Sequence, residues 1–147
     1  MMFSLTGSGF VEVFPAEVTT SLDLPVMPGL TAGFPSPAAD FIDLTIDLNK
    51  ELIKNPSSTF LARIDGDSMK DVNICHGDIV VIDKSLDATE GRIIVAFLNG
   101  AFTVKRIRFE KKGCWLVAEN PKYPAIWVTD ESDFQVWGIV VHVIKSF

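Results

Sequence analysis

The first 32 residues contain no lysine or arginine, although the 147-residue chain carries 13 in all. That stretch holds Glu12, Glu17 and Asp23, so half of the net charge of −6 resides there and half in the remainder. Sequence-independent DNA binding relies on cationic side chains that displace counterions from phosphate, and an acidic chain is poorly equipped for it. No run approaches the roughly 18 apolar residues that a membrane-spanning helix needs. The opening MMFSLTGSGF has neither a basic start nor a continuous apolar stretch, so it does not read as a secretory signal. Two cysteines, Cys75 and Cys114, are too few for a disulfide framework and read as reduced thiols of a cytoplasmic protein. The two histidines show no paired spacing with them, so no metal or other cofactor is expected.

What is present suffices for one core: 48% of the residues are hydrophobic, and the length suits a single domain. Pro15, Pro25 and Pro28, interleaved with Gly7, Gly9 and Gly29, make residues 1–32 read as an extended arm. Residues 33–54 read as a connector. It begins with Gly33-Phe34-Pro35-Ser36-Pro37, where two prolines stiffen an extended chain. Phe41, Leu44, Leu48 and Leu52 then recur at helical spacing, while Ile42, Leu44, Ile46 and Leu48 alternate; one or two short helices are predicted. Residues 55–147 have a different texture. Short β-branched runs (59–64, 78–82, 92–98, 101–109, 114–118 and 134–144) are separated by Gly, Asn, Asp and Pro, the pattern of a compact, mostly antiparallel β domain.

Asn99-Gly100 lies between two of these runs and favours a two-residue type I′ turn, whose twist matches the flanking strands. Such a turn pairs Leu98 with Ala101, Ala96 with Thr103 and Ile94 with Lys105. One face then carries Ile94, Ala96, Leu98, Ala101, Thr103 and Ile107 around Lys105, with Arg92 at its far end; Arg106 and Arg108 point the other way. A lysine on an apolar face has two readings. Its stem can snorkel so that the ammonium reaches water. Alternatively, the amine is desolvated, its charged form is disfavoured, and it becomes a base at moderate pH.

A base needs a partner nucleophile, and Ser68 in Gly66-Asp67-Ser68-Met69 is one candidate. The same tetrapeptide is turn-forming, and the serine also suits the N-cap of a short helix. A calcium loop fails: counted from Asp65, the fifth and sixth positions are Met69 and Lys70 instead of an oxygen ligand and glycine. Cys75 and His76 are sequence neighbours, a poor arrangement for a thiolate–imidazolium pair. His142 lies in a β run and reads as a packed or edge histidine, though a Ser-His-Asp arrangement through it stays open. Trp115, Trp127 and Trp137 read as core or interface residues.

Gly66-Asp67-Ser68-Met69, then Gly77-Asp78 ahead of a β-branched run, then Phe102-Thr103-Val104-Lys105-Arg106, resemble the LexA-type self-cleaving serine peptidases (peptidase S24) in motif order and in the 37-residue separation of Ser68 and Lys105. Gly33-Phe34-Pro35-Ser36-Pro37-Ala38-Ala39-Asp40 and Ile46-Asp47-Leu48-Asn49 resemble the segment after the cleavage site in the UmuD-like branch of that family. The resemblance covers Gly33 to the C-terminus. It implies that Ser68 is the nucleophile, that Lys105 is the general base and later acid, and that the backbone N–H groups of Ser68 and Asp67 form the oxyanion hole. It implies cleavage at Ala32-Gly33, an Ala-Gly pair as in LexA in place of the Cys-Gly common in UmuD-like proteins. It further implies a homodimer, stimulation by the RecA–single-stranded-DNA filament, and partnership of the shortened chain with a UmuC-like translesion polymerase. A LexA-like repressor and a non-catalytic polymerase accessory protein are the alternatives. The acidic, proline-punctuated arm does not resemble a helix-turn-helix, and the membrane anchors of type I signal peptidases, which use the same Ser-Lys chemistry, are not seen.

Overall fold

The structure is a computed structural model that describes residues 3–7, 9–26, 32–33 and 44–147. It is mostly β, as the sequence texture predicts. By compactness the chain divides into two units, one comprising residues 1–16 and 55–147, the other residues 17–54.

The larger unit is one nine-stranded sheet built from β1 (Phe3–Gly7), β2 (Gly9–Pro15), β5 (Thr59–Asp65), β6 (Ile79–Asp83), β7 (Ile93–Leu98), β8 (Ala101–Glu110), β9 (Gly113–Val117), β10 (Ile126–Val128) and β11 (Phe134–Ile144). Their order is β1-β2-β5-β6-β11-β7-β8-β9-β10, and every neighbouring pair is antiparallel. The sheet curls so that β1 and β2 approach β8. Long β11 is shared: Phe134–Ile139 pairs with β7 and Ile139–Ile144 with β6, with a register shift in each half. Each half is thus paired along one edge, and Ile139 is paired with both neighbours. Gly138 sits at this crossover because nothing larger fits; a Cβ there would lie 2.5 Å from the Ile82 side chain.

Alternation within each strand sends apolar side chains to both faces, and the curl buries both. One cluster gathers Ala62, Ile64, Met69, Ile74, Val80, Ile82, Val95 and Val104; the other gathers Ile94, Ala96, Ile107, Cys114, Leu116, Val128 and Ile139. Each fully buried Ile or Leu contributes about 1.5–3 kcal/mol relative to exposure, so these clusters dominate the stability of the unit. Trp137 packs edge-on against Phe60 and Phe102, with ring centroids 5.1 and 5.4 Å away, and belongs to the first cluster's margin. Half-buried Trp115 and exposed Trp127 meet with ring centroids 5.0 Å apart and ring planes tilted by 52°.

The Asn99-Gly100 turn forms as expected. Both residues take positive φ (50° and 82°), which a type I′ turn requires, and Ile94 pairs with Lys105 and Ala96 with Thr103. Residues 3–7 and 9–15, expected only as extended chain, enter the sheet because the free edge of β5 offers β2 a full row of backbone partners.

The smaller unit pairs β3 (Asp23–Val26) with β4 (Leu44–Asp47), which runs into α1 (Leu48–Leu52). Residues 44–47 thus follow their alternation, and the helical spacing holds only from Leu48. Asp47 marks the switch: its carboxylate accepts the N–H groups of Asn49 and Lys50 as an N-cap, and also that of Leu22. Phe34–Pro37 and Phe41, read as stiff chain and helix-spaced residue, lie outside the described residues.

Candidate active site

Lys105 is placed by the hairpin register and then enclosed by the second apolar cluster's face, leaving it 4% exposed. Burial pushes its pKa down from the ordinary 10.5 to about 8. Among the described residues no carboxylate lies within ion-pair reach of it. Its Nζ instead meets three neutral oxygens: Thr103 Oγ1 at 2.7 Å, the Val104 carbonyl at 3.0 Å and Ser68 Oγ at 3.3 Å. The snorkelling reading is therefore excluded.

Those three acceptors match the three N–H donors of the protonated amine, and with a pKa near 8 one of those protons is lost at mildly alkaline pH. The Val104 carbonyl can only accept, and the Thr103 hydroxyl is able to accept. Ser68 Oγ accepts the third N–H of the protonated amine; once the amine is neutral, two N–H donors suffice for the other oxygens and its lone pair is free to accept from the Ser68 hydroxyl. A neutral amine so placed is able to take a hydroxyl proton, which is the chemistry that activates a serine.

Ser68 itself is half-buried in the turn after β5, just ahead of a 3-10 segment, Lys70–Val72. The Asp67 carbonyl accepts the Lys70 N–H at 3.2 Å, closing a turn with Ser68 and Met69 at its centre. Buried Met69 anchors that turn in the first apolar cluster. Gly66 enters it with φ of 98°, a conformation that side chains resist. The strand-to-turn corner thus presents the hydroxyl while the next side chain holds the loop down.

Neither histidine bonds to Ser68 among the described residues. The His76 Nδ1 accepts the Gly66 N–H at 3.2 Å and sits 3.3 Å from Asp65, whereas His142 lies half-buried in β11. No group of three or more His, Cys, Asp or Glu among the described residues could hold a metal. Ala32 and Gly33 are exposed and lie in the smaller unit, in the segment that leaves β3 and returns as β4.

With this geometry in view, the comparisons with known proteins become specific. The family described as Peptidase S24-like matches residues 25–141, a span that includes both Ser68 and Lys105. The chain belongs to the S24-like peptidase family. It is 40% identical to Protein SamA of Salmonella typhimurium over 115 residues, covering 78% of this chain and 79% of that protein. It is 37% identical to Protein MucA of Escherichia coli over 114 residues, 77% of each chain. A LexA repressor of Delftia acidovorans is 35% identical over 132 residues, covering 90% of this chain but 58% of the repressor.

Sequence reasoning passed over several residues that shape this S24-like site. Thr103 stood beside Lys105 on the same strand face, and its spacing two residues away was the available signal. Glu119, Asn120 and Tyr123 had no comparable local cue. The Glu119 N–H donates to the Ser68 carbonyl at 2.9 Å, the Asn120 amide donates to the Asp67 carbonyl at 2.9 Å, and the Tyr123 hydroxyl donates to the Asp67 carboxylate at 2.8 Å. The Asp67 carboxyl is held below its usual range, chiefly by that tyrosine bond.

Proposed function

We propose that this protein is a UmuD-like, self-cleaving serine peptidase of the SOS response whose substrate is its own Ala32-Gly33 bond. The observation that carries this reading is a buried lysine with no carboxylate in ion-pair reach among the described residues, its pKa near 8, 3.3 Å from the serine of the Gly66–Met69 turn. Ser68 Oγ attacks the Ala32 carbonyl as its proton passes to Lys105 Nζ. The N–H groups of Ser68 and Asp67 stabilise the oxyanion. Lys105 then protonates the departing Gly33 amine, leaving an ester between Ala32 and Ser68. A water that gives its proton to Lys105 hydrolyses that ester, Lys105 returns the proton to Ser68 Oγ, and the arm is released. The family resemblance supports a homodimer, stimulation by the RecA–single-stranded-DNA filament, and union of the shortened chain with a UmuC-like translesion polymerase.

Incubating the purified protein at alkaline pH and weighing the products by mass spectrometry tests the chemistry. The expected products are residues 1–32 and a chain beginning Gly33-Phe34-Pro35, formed at a rate that rises through pH 8 and then levels. Ser68→Ala and Lys105→Ala should each remove both products, and cleavage that survives either change defeats the dyad. The likeness to a LexA repressor keeps a second reading, a transcriptional repressor, in play; a gel shift with damage-gene promoters separates the two.

A further inference from the structure

The segment after β9 grips the nucleophile turn at successive carbonyls. The Ser68 carbonyl accepts the Glu119 N–H at 2.9 Å, and the Glu119 carbonyl accepts the Asp71 N–H at 3.0 Å. The Asp67 carbonyl takes the Asn120 Nδ2 at 2.9 Å as well as the Lys70 N–H, which uses both of its lone pairs. Asn120 is 3% exposed, and its other end is also committed, since its Oδ1 accepts the Lys122 N–H at 3.0 Å. A carbonyl at one end and an N–H at the other allow one orientation of the amide only.

A trans peptide is planar, with its C=O and N–H pointing in opposite directions. No cis bond occurs among the described residues. Whatever holds the Asp67 carbonyl therefore also aims the Ser68 N–H, which belongs to the same peptide. That N–H donates to no group among the described residues. We infer that Asn120 is a positioning residue for self-cleavage: by gripping the Asp67 carbonyl, its amide aims the Ser68 N–H at the oxygen of the attacked carbonyl. This rests on the reading of Ser68 as nucleophile. Lys105 is enclosed by Thr103, Val104 and the apolar face and meets the turn through Ser68 Oγ, so Asn120 governs how well the oxyanion is held and leaves in place the burial that sets the basicity of the lysine.

The test is the pH profile of self-cleavage by the full chain, measured for the wild type, Asn120→Ala and Asn120→Asp, with thermal melts of each. The aspartate keeps the acceptor for the Lys122 N–H but offers no donor to the Asp67 carbonyl. Both variants should lower the plateau rate about 10- to 100-fold, the scale of misplacing a catalytic group by a fraction of an ångström to an ångström. The inflection should stay near pH 8 in both. A plateau within about twofold of wild type overturns the inference. So does an inflection that moves toward 10.5, or loss of fold in both variants, because either shows a structural role. A wild-type chain that does not cleave at any pH defeats the Ser68 reading itself, an outcome distinct from these.

Discussion

Lys105 in β8 and Lys145, just past the end of β11, are both shielded from water, yet their pKa values move in opposite directions. Lys145 meets the carboxylate of Asp78, and that bond raises its pKa against the desolvation that opposes it. Among the described residues Lys105 meets only neutral oxygens, and desolvation lowers its pKa to about 8. Asp78 shows the same balance from the other side. Burial alone would push its carboxyl up, but the bonds from Lys145 and the Cys75 N–H outweigh it and hold the carboxyl below its usual range. Burial therefore lowers the pKa of a lysine only where no carboxylate offsets it: Asp78 does so for Lys145, and among the described residues none does so for Lys105.

The largest break in this contrast is Lys105→Met, which should abolish self-cleavage and stabilise the fold. The lysine pKa is about 8 folded and 10.5 unfolded, so below pH 8 the folded state bears the full cost of the buried charge. That cost is about 3 kcal/mol at ~1.4 kcal/mol per unit. Between pH 8 and 10.5 the unfolded chain holds more protons, so the wild type gains stability as pH rises and the advantage of the methionine fades. Urea melts at pH 7 and above pH 10.5 read this directly; a methionine variant no more stable at pH 7 would sink the account.

Thr103→Asp sharpens the contrast by giving Lys105 what Lys145 already has. The ammonium should then persist, the inflection of the cleavage profile should climb from near 8 toward 10 or above, and the rate at pH 8 should fall about 100-fold. An unmoved inflection would show that the new carboxylate does not reach Nζ. The smallest effect belongs to Asp78→Asn, expected to cost about 1–3 kcal/mol of stability at pH 7. The Asp78 carboxyl is depressed when folded, so its contribution is present above about pH 3.8 and disappears as pH falls through the lower, folded value. The two proteins should converge in strong acid, and the cleavage inflection should remain near 8. A shifted inflection would mean that the two lysines are coupled.

Much of the basic arrangement could be read without coordinates. Asn99-Gly100 specifies a turn, the turn specifies a register, and period-two alternation then sets Lys105 among Ile94, Ala96, Thr103 and Ile107. Ser68 was legible by motif and not by any local physical argument, because turn-forming and nucleophilic serines use the same residues. The clamp from Asn120 was not legible at all. It joins residues 53 apart, and a lone asparagine before a proline reads equally well as a turn. β1 and β2 were missed for a related reason: they gain their place from the unpaired edge of β5, which no property of residues 3–15 reveals.

Local sequence determined the strands, the hairpin register and therefore the face on which Lys105 lies, because backbone sterics and alternation act over a few residues. Tertiary structure decided everything that changes the lysine's chemistry. It brought Ser68 to 3.3 Å across a 37-residue separation, kept every carboxylate out of ion-pair reach among the described residues, and gave Lys145 its Asp78. The physical reason is that a pKa is set by what surrounds a group in three dimensions. Side chains far apart in sequence supply or withhold the compensating charge, and only the folded sheet determines which of them arrive.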